Sequence, residues 1–143
     1  MTKECGTFDH TADVGLAARA DSLGELYEAL AEGLADYICS RQQVRPARTL
    51  TLSVRAEDAE VLAVDFLCRV LATIQSDRFL IASVRVTKAA TVPAGAELAA
   101  ELHGEPYDPA RHELHTEVKA VTYHLLRVAR DGDQWVARVI LDL

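Results

Sequence analysis

Phe8-Asp9-His10-Thr11-Ala12-Asp13-Val14-Gly15-Leu16 is a dense run of polar side chains that gives way at once to apolar ones. It contains two carboxylates, one imidazole and one hydroxyl, which a strand that only builds a core does not need. The flanking residues predict two short strands, one at about 4–8 and one from Val14 to Ala20. The polar segment is therefore expected to be the turn between these strands, presented by the fold.

The far end of the sequence, Ile140-Leu141-Asp142-Leu143, is apolar almost to its last residue. A strand that closes a domain and frays into solvent is usually polar, so we expect this one to be packed and to hold Asp142 in place. If Asp13 lies beside it, the carboxylates repel each other, and a divalent cation with oxygen ligands, Mg²⁺ or Ca²⁺, would relieve that repulsion. The α-carboxylate at Leu143 would be a third acidic group. The alternative is two solvated acids at two strand ends, since Asp residues lie mostly on surfaces.

The elements between these two ends follow from caps and periodicity. Ser22 and Glu25 form a capping box, which predicts a helix that ends near Ser40. Asp58 caps a second helix that is apolar over more than one stripe. Alternation and turn signals predict the remaining strands at Thr49 to Arg55, Phe79 to Thr87, Glu97 to His103, Val118 to Ala129 and Gln134 to Leu143. The predicted fold is α+β, a mainly antiparallel sheet of about seven strands with two helices packed on one side, in a single domain over residues 1–143.

Composition narrows the functional classes. The net charge of −7 argues against bulk nucleic-acid binding and leaves only a local basic patch open. There is no run of about 18 apolar residues, so no membrane span is expected. The N-terminus lacks a signal-peptide pattern, and three widely spaced cysteines fit reduced thiols, so we expect a cytoplasmic protein. No nucleotide-binding or nucleophile-elbow motif is found, so a nucleotide-hydrolysing enzyme is not expected.

Other side chains could carry chemistry, and each has a structural alternative. His10 could be a general acid or base, or a ligand, but it could equally be hydrogen-bonded within a turn. Asp9 suits either the same site or a turn in which it bonds its own backbone. Lys119 lies in a predicted strand on a mostly apolar face, where it either extends to the rim or holds a phosphate or carboxylate. His112-Glu113-Leu114-His115 is a weak zinc pattern without a helix signal or a cysteine.

Four groups of residues, taken together and in this order, resemble the archease family. The joint occurrence of the first and third groups is more specific than any one group alone. The groups are Phe8-Asp9-His10-Thr11-Ala12-Asp13-Val14-Gly15; Gly104-Glu105-Pro106-Tyr107-Asp108 with His112-Glu113-Leu114; Glu117-Val118-Lys119-Ala120-Val121-Thr122-Tyr123-His124; and Ile140-Leu141-Asp142-Leu143.

The resemblance implies a small α+β protein that activates RtcB, the RNA ligase that rejoins tRNA halves after intron removal. Archease-like proteins are not ligases themselves; they promote guanylylation of the ligase and its multiple turnover. Contact with tRNA would then be indirect, through the ligase.

The resemblance also implies a set of site residues. The metal ligands would be Asp13, Asp142 and Leu143, and the divalent ion would be Ca²⁺, with Mg²⁺ and Mn²⁺ as alternatives. Lys119 would match a functionally important lysine, and Asp9 and His10 would lie next to the ligands or contact the partner.

Two readings from other classes remain open. One is a metal-dependent phosphoester hydrolase, and the other is a metal-independent, chaperone-like scaffold module.

Overall fold

The two helices begin where their caps predict. In this computed structural model, which describes residues 3–9 and 13–143 without the side chains of Phe8 and Asp9, α1 spans Leu23–Ile38 and α2 spans Ala59–Gln75. The Ser22 hydroxyl accepts a hydrogen bond from the Glu25 N–H at 3.3 Å, and the Asp58 carboxylate accepts one from the Val61 N–H at 2.8 Å. Each cap satisfies a backbone donor that the first helical turn leaves unpaired.

Seven strands surround these helices, and every pairing between them is antiparallel. The predicted α+β class with mainly antiparallel strands is therefore confirmed. The strands are β1 Lys3–Asp9, β2 Asp13–Ala20, β3 Arg48–Ala56, β4 Phe79–Val92, β5 Gly95–Pro106, β6 Ala120–Asp131 and β7 Gln134–Asp142.

The strands divide between two sheets. A four-stranded sheet has the order β1-β2-β7-β6, and a three-stranded sheet has the order β3-β5-β4. Both helices contact strands of both sheets, so the main core lies between the sheets and around the helices. Sequence neighbours β5 and β6 belong to different sheets, whereas the sequence predicts a single sheet of about seven strands. None of the described helices is long and apolar enough to cross a membrane.

Two segments differ from the sequence prediction. β5 runs on to Pro106, beyond the predicted end at His103, so Glu105 lies in a strand and is buried. β6 starts one residue after Lys119, so this lysine precedes the strand in which it was predicted to lie.

A bulge in β6 accounts for another difference. Thr122 pairs with Ile140 but the next pair is Arg127 with Arg138, so residues 123–126 oppose a single residue of β7. Leu125 adopts a φ of 54° there, and Tyr123 and Leu125 are 59% and 53% exposed. Lys119, Val121, Tyr123 and Leu125 therefore do not share one apolar face, because the bulge breaks the alternation.

Candidate metal-binding tip

Asp13 and Asp142 are directly opposite each other on neighbouring strands. They are the Cα partners at the end of the β2–β7 ladder, and both are half-buried. Directly opposed residues in an antiparallel pair project to the same face of the sheet, with Cβ atoms about 4.5–5.5 Å apart. The sequence prediction that the last strand brings Asp142 to Asp13 agrees with this pairing.

The register of this pairing is fixed by the core. Val14 pairs with Leu141, and Leu16 pairs with Val139, all of them buried among the core residues. A slip of one residue would turn the acids toward the core and the apolar side chains outward, at a large cost in free energy. The carboxylates of Asp13 and Asp142 therefore lie on the face of the four-stranded sheet that points away from the helices.

Lys119 and Leu143 join this pair through the backbone of β7. The Lys119 N–H donates to the carbonyl oxygen of Asp142 at 2.8 Å, and the side chain of Lys119 is exposed. Leu143 is half-buried and packs against the core. We call Asp13, Asp142, Leu143 and Lys119 the tip. Ala120, the next residue, pairs with Asp142 across β6 and β7.

The two remaining predicted site residues are only partly covered by the structure. The backbone of Asp9 pairs with Val14 at the end of the β1–β2 ladder, so it is one strand away from the Asp13–Asp142 pair. The side chain of Asp9 and the whole of His10 lie outside the described residues.

The chemistry of the tip fits a hard divalent cation. Carboxylate and carbonyl oxygens are the donors that Ca²⁺ and Mg²⁺ prefer, and nitrogen or sulfur donors would be needed to favour zinc. Like charges directly opposite on two strands destabilise a sheet, and a bound cation offsets that repulsion. Among the described residues no three His, Cys, Asp or Glu side chains gather where they could hold a metal ion, so the two carboxylates do not form such a group by themselves.

Residues 107–119 lead from β5 to the tip, and we call this segment the strap. A buried acid, Glu105, anchors its start. Glu105 is 7% exposed, and one of its oxygens lies 2.9 Å from Nε2 of His112. The same oxygen accepts the Arg45 N–H at 2.8 Å, and the Arg111 guanidinium binds the other oxygen. Four polar groups from separated positions thus meet at the strap's first turn.

His112 is part of this anchor and not a metal ligand. Its Nδ1 accepts the N–H of Asp108 at 2.9 Å, so the ring proton lies on Nε2 and is donated to Glu105. The ring is 4% exposed. Both nitrogens are therefore in use, which removes His112 from the weak zinc pattern that it forms with His115 in the sequence.

The charge of Glu105 is strongly favoured by these contacts. The Arg45 N–H, His112 and Arg111 together lower the pKa of Glu105 to about 2, against the opposing effect of burial. Sequence periodicity does not identify this anchor, because its members come from three separate segments. The sequence does hold one signal of this anchor, the glycine next to Glu105. A Cβ at Gly104 would lie 1.8 Å from the carbonyl oxygen of Leu80, and a glycine inside a strand marks such a close approach of two backbones.

The far part of the strap is held against the helix ends. The Gln75 side chain donates to the Val118 carbonyl at 2.7 Å and accepts the Val118 N–H at 2.9 Å. The His115 N–H donates to the Ile38 carbonyl at 2.7 Å. These contacts fix the backbone immediately before Lys119, so α1 and α2 position the tip through the strap. A cavity of about 320 Å³ lies beneath the strap, and its lining includes Ile38, Ile74 and Tyr107 but no tip residue.

Comparison with known proteins agrees with this architecture. The family described as the Archease protein family matches residues 6–143 of this chain. The protein archease of Pyrococcus abyssi is 34% identical over 137 residues, which cover 95% of this chain and 96% of that protein. The protein archease of Methanopyrus kandleri is 35% identical over 135 residues, covering 94% of this chain and 96% of that protein.

Two solved structures share the fold. The solution structure of protein 1598 of Methanobacterium thermoautotrophicum has a TM-score of 0.82 and 30% identity, with 99% of this chain and 98% of that chain covered. The crystal structure of an archease from Thermotoga maritima, named there a possible chaperone, has a TM-score of 0.62 and 22% identity, with 95% and 94% covered. With the family match over almost its whole length, this chain belongs to the archease protein family.

Proposed function

We propose that this chain is a protein cofactor of the RNA ligase RtcB, acting in the cytoplasm in tRNA splicing and RNA repair. It promotes guanylylation and multiple turnover of the ligase and does not catalyse ligation itself. Its contact with tRNA in this role is through the ligase. Membership of the archease family supports this function, and the tip supplies a surface through which it can act.

The observation that carries the proposal is the direct pairing of Asp13 with Asp142. A fixed core register holds two carboxylates opposite each other, and carboxylate oxygens are the ligands that hard divalent cations prefer. The pairing therefore supports a role of the tip in holding a divalent ion.

Each residue has a separate task in this proposal. Asp13, Asp142 and an oxygen of Leu143 hold a divalent ion, with Ca²⁺ first and Mg²⁺ or Mn²⁺ as alternatives. The exposed ammonium of Lys119 is available to an anionic group such as a phosphate. Asp9 and His10 bond to the ligands or to the partner from the preceding turn.

A bound cation would supply positive charge close to the nucleotide triphosphate in the ligase cleft, where negative charge develops during guanylylation. The contribution of the chain itself is positional. The core register fixes the distance between the two carboxylates, and the strap holds the backbone of Lys119 against Asp142 at 2.8 Å.

Guanylylation of RtcB by GTP, measured with this chain and with its Asp13→Asn and Asp142→Asn variants, tests the proposal. Asparagine keeps the shape of the side chain and removes its charge, so we expect each variant to fold and to lose at least about tenfold in activation, as a lost charged ligand predicts. The matched control is Asp133→Asn in the exposed β6–β7 hairpin, which should activate as the wild type does. Undiminished activation by both tip variants would refute the role of the tip.

A chaperone-like role without metal is the second candidate. It is favoured by the exposed apolar side chains of Tyr123 and Leu125 on the β6 bulge. The name of the Thermotoga maritima structure, a possible chaperone, points the same way for that protein. Suppression of aggregation of a heat-denatured enzyme, unaffected by chelator and by Asp13→Asn but lost in Tyr123→Ser/Leu125→Ser, would favour it.

A hydrolase that uses Asp13, Asp142 and His10 is the remaining alternative. It predicts turnover of phosphoester substrates by the purified chain alone, abolished by chelator. If the purified chain turns over none of a panel of such substrates, the hydrolase alternative is excluded.

A further inference from the structure

The outer strands β4 and β6, one in each sheet, have backbone groups at their free edges that the helices satisfy. In β4 the Val84 N–H donates to the carboxylate of Glu32 in α1 at 3.0 Å. The Val86 N–H, two residues further along, donates to Glu28 in α1 at 2.8 Å. Glu60 of α2 accepts a backbone N–H of β6 in the same way at 3.1 Å. Because unpaired strand edges are where chains associate, these carboxylates protect two of the sheet edges.

β3 forms the other edge of the three-stranded sheet, and its outer backbone lacks such cover. Val84 points its N–H away from β5, so its partner in β5, Leu102, has its backbone groups directed at Leu50 of β3. Alternation along the ladder then leaves every second residue of β3 with its N–H and C=O at the free edge. No hydrogen bond within the described part of the chain reaches these groups. They belong to Thr49, Thr51, Ser53 and Arg55.

The sequence of β3 also lacks the features that usually keep edge strands apart. From Thr49 to Val54 it alternates Thr or Ser with Leu or Val and contains no charge, proline or glycine, and it pairs with β5 without a shift in register. A flat edge of this kind is a template for pairing with another chain. Leu50 on its inner face is 39% exposed and lines a groove of about 480 Å³ whose other wall is α2. The groove leaves room for an apolar side chain from an added strand.

We propose that β3 pairs with β3 of a second copy of this chain, antiparallel about a twofold axis at Leu52. Two sheets of three strands then join into one sheet of six. This register pairs the whole of Arg48–Ala56 with itself and satisfies the open backbone groups of both copies. The contact is isologous, so it closes at two copies.

The side chains of β3 are complementary to themselves in this register. Thr51 is opposite Ser53 of the second copy, and such hydroxyl pairs stabilise neighbouring strands. On the inner face Leu50 is opposite Val54 of the second copy, which covers its exposed part. Each arginine of the strand lies opposite an uncharged residue, so no like charges oppose each other across the pair.

Sedimentation of the purified chain over a range of concentrations, in chelator and without ligase, tests the inference. The wild type should show an equilibrium between monomer and dimer. Thr51→Lys/Ser53→Lys, at two positions exposed in the single chain, places lysine opposite lysine twice, so the Kd of the dimer should rise at least about tenfold. The matched control is Thr87→Lys/Thr91→Lys, which adds the same charge at exposed positions of β4 and should dimerise as the wild type does.

A charge-reversed variant tests the register itself and shows that substitution at these positions is tolerated. Thr51→Lys/Ser53→Glu places lysine opposite glutamate twice only in this pairing, so it should restore the dimer.

Several outcomes would overturn the inference. A wild type that stays monomeric at every concentration, an equal loss in both lysine variants, or no restoration in Thr51→Lys/Ser53→Glu would each do so. A monomeric chain whose β3 edge takes up an unrelated strand-forming peptide would assign the edge to another protein and would also overturn the pairing of two copies. β3 belongs to the sheet that does not carry the tip acids, and the ligase is absent, so each result leaves the proposed activation of RtcB untouched.

Discussion

Glu105 shows how one buried carboxylate can organise a segment that the sequence presents as a polar loop. Pro106, Pro109 and several charged residues surround it in the sequence, and no strand is predicted between His103 and Val118. The side chain is instead buried, and it receives a backbone N–H, a histidine N–H and a guanidinium. Burial of a charged group is tolerated only when its partners are complete, so the loss of any one partner should be costly.

The first prediction concerns the pH dependence of this residue. The folded-state pKa of Glu105 is lowered to about 2 from its ordinary 4.5. The stabilisation is therefore fully present above pH 4.5 and is lost as the pH falls from 4.5 toward 2. We expect Glu105→Gln to lower the free energy of unfolding by about 1–3 kcal/mol near neutral pH.

Urea unfolding of the wild type and of Glu105→Gln at several pH values measures this difference. The gap between the two proteins should narrow as the pH falls below 4.5. Glu101→Gln, at a half-exposed position of the same strand, serves as the control. A gap that stays constant down to pH 3 would contradict the assigned pKa shift.

At the scale of elements, the strap has no regular structure of its own and is positioned by its neighbours. Among the residues that the structure describes, one isolated β-bridge, between Cys39 and Leu114, pairs the strap with another segment. Side-chain contacts hold it near its two ends, at Glu105 and at Gln75, and backbone hydrogen bonds from His115 and Lys119 add to them. Since Lys119 follows directly, the helices and the tip are mechanically connected through the strap.

The second prediction is that Gln75→Ala loosens the end of the strap. The variant removes both hydrogen bonds to Val118, whose backbone is buried, so we expect a loss of about 2 kcal/mol in stability. Amide hydrogen exchange should rise over residues 114–119 more than in either sheet.

Thr73→Ala on the same helix is the control, because the Thr73 hydroxyl bonds only the Arg69 carbonyl within α2. If exchange in the strap is the same in both variants, then Gln75 does not hold the strap in place.

At the scale of the whole molecule, the sequence predicts well what depends on alternation and caps. Both helices and all seven strands follow from local patterns, because apolar periodicity determines which face is buried. The sequence does not predict the division into two sheets. No local pattern distinguishes a turn that would pair β5 with β6 from a connection that carries the chain to the other sheet. The β6 bulge and the Glu105 anchor were also missed, because both depend on contacts between distant segments rather than on periodicity.

The third prediction concerns the stability of the whole chain. A cation at the tip would connect β2 and β7 and bind only the folded state, so Ca²⁺ at about a hundredfold excess over its Kd should add about 2.7 kcal/mol. Thermal unfolding in Ca²⁺ and in chelator should therefore differ in Tm for the wild type. The difference should vanish in Asp13→Asn/Asp142→Asn, and an equal shift in that variant would place the ion elsewhere.

The register that pairs Asp13 with Asp142 also has a consequence for biosynthesis. β2 is among the first elements to leave the ribosome, and β7 is the last of the seven strands to do so. Until β7 emerges, β2 has no partner on that side and the two carboxylates remain apart. A nascent or truncated chain therefore cannot form the Asp13–Asp142 pair, which exists only in molecules that have completed the sheet.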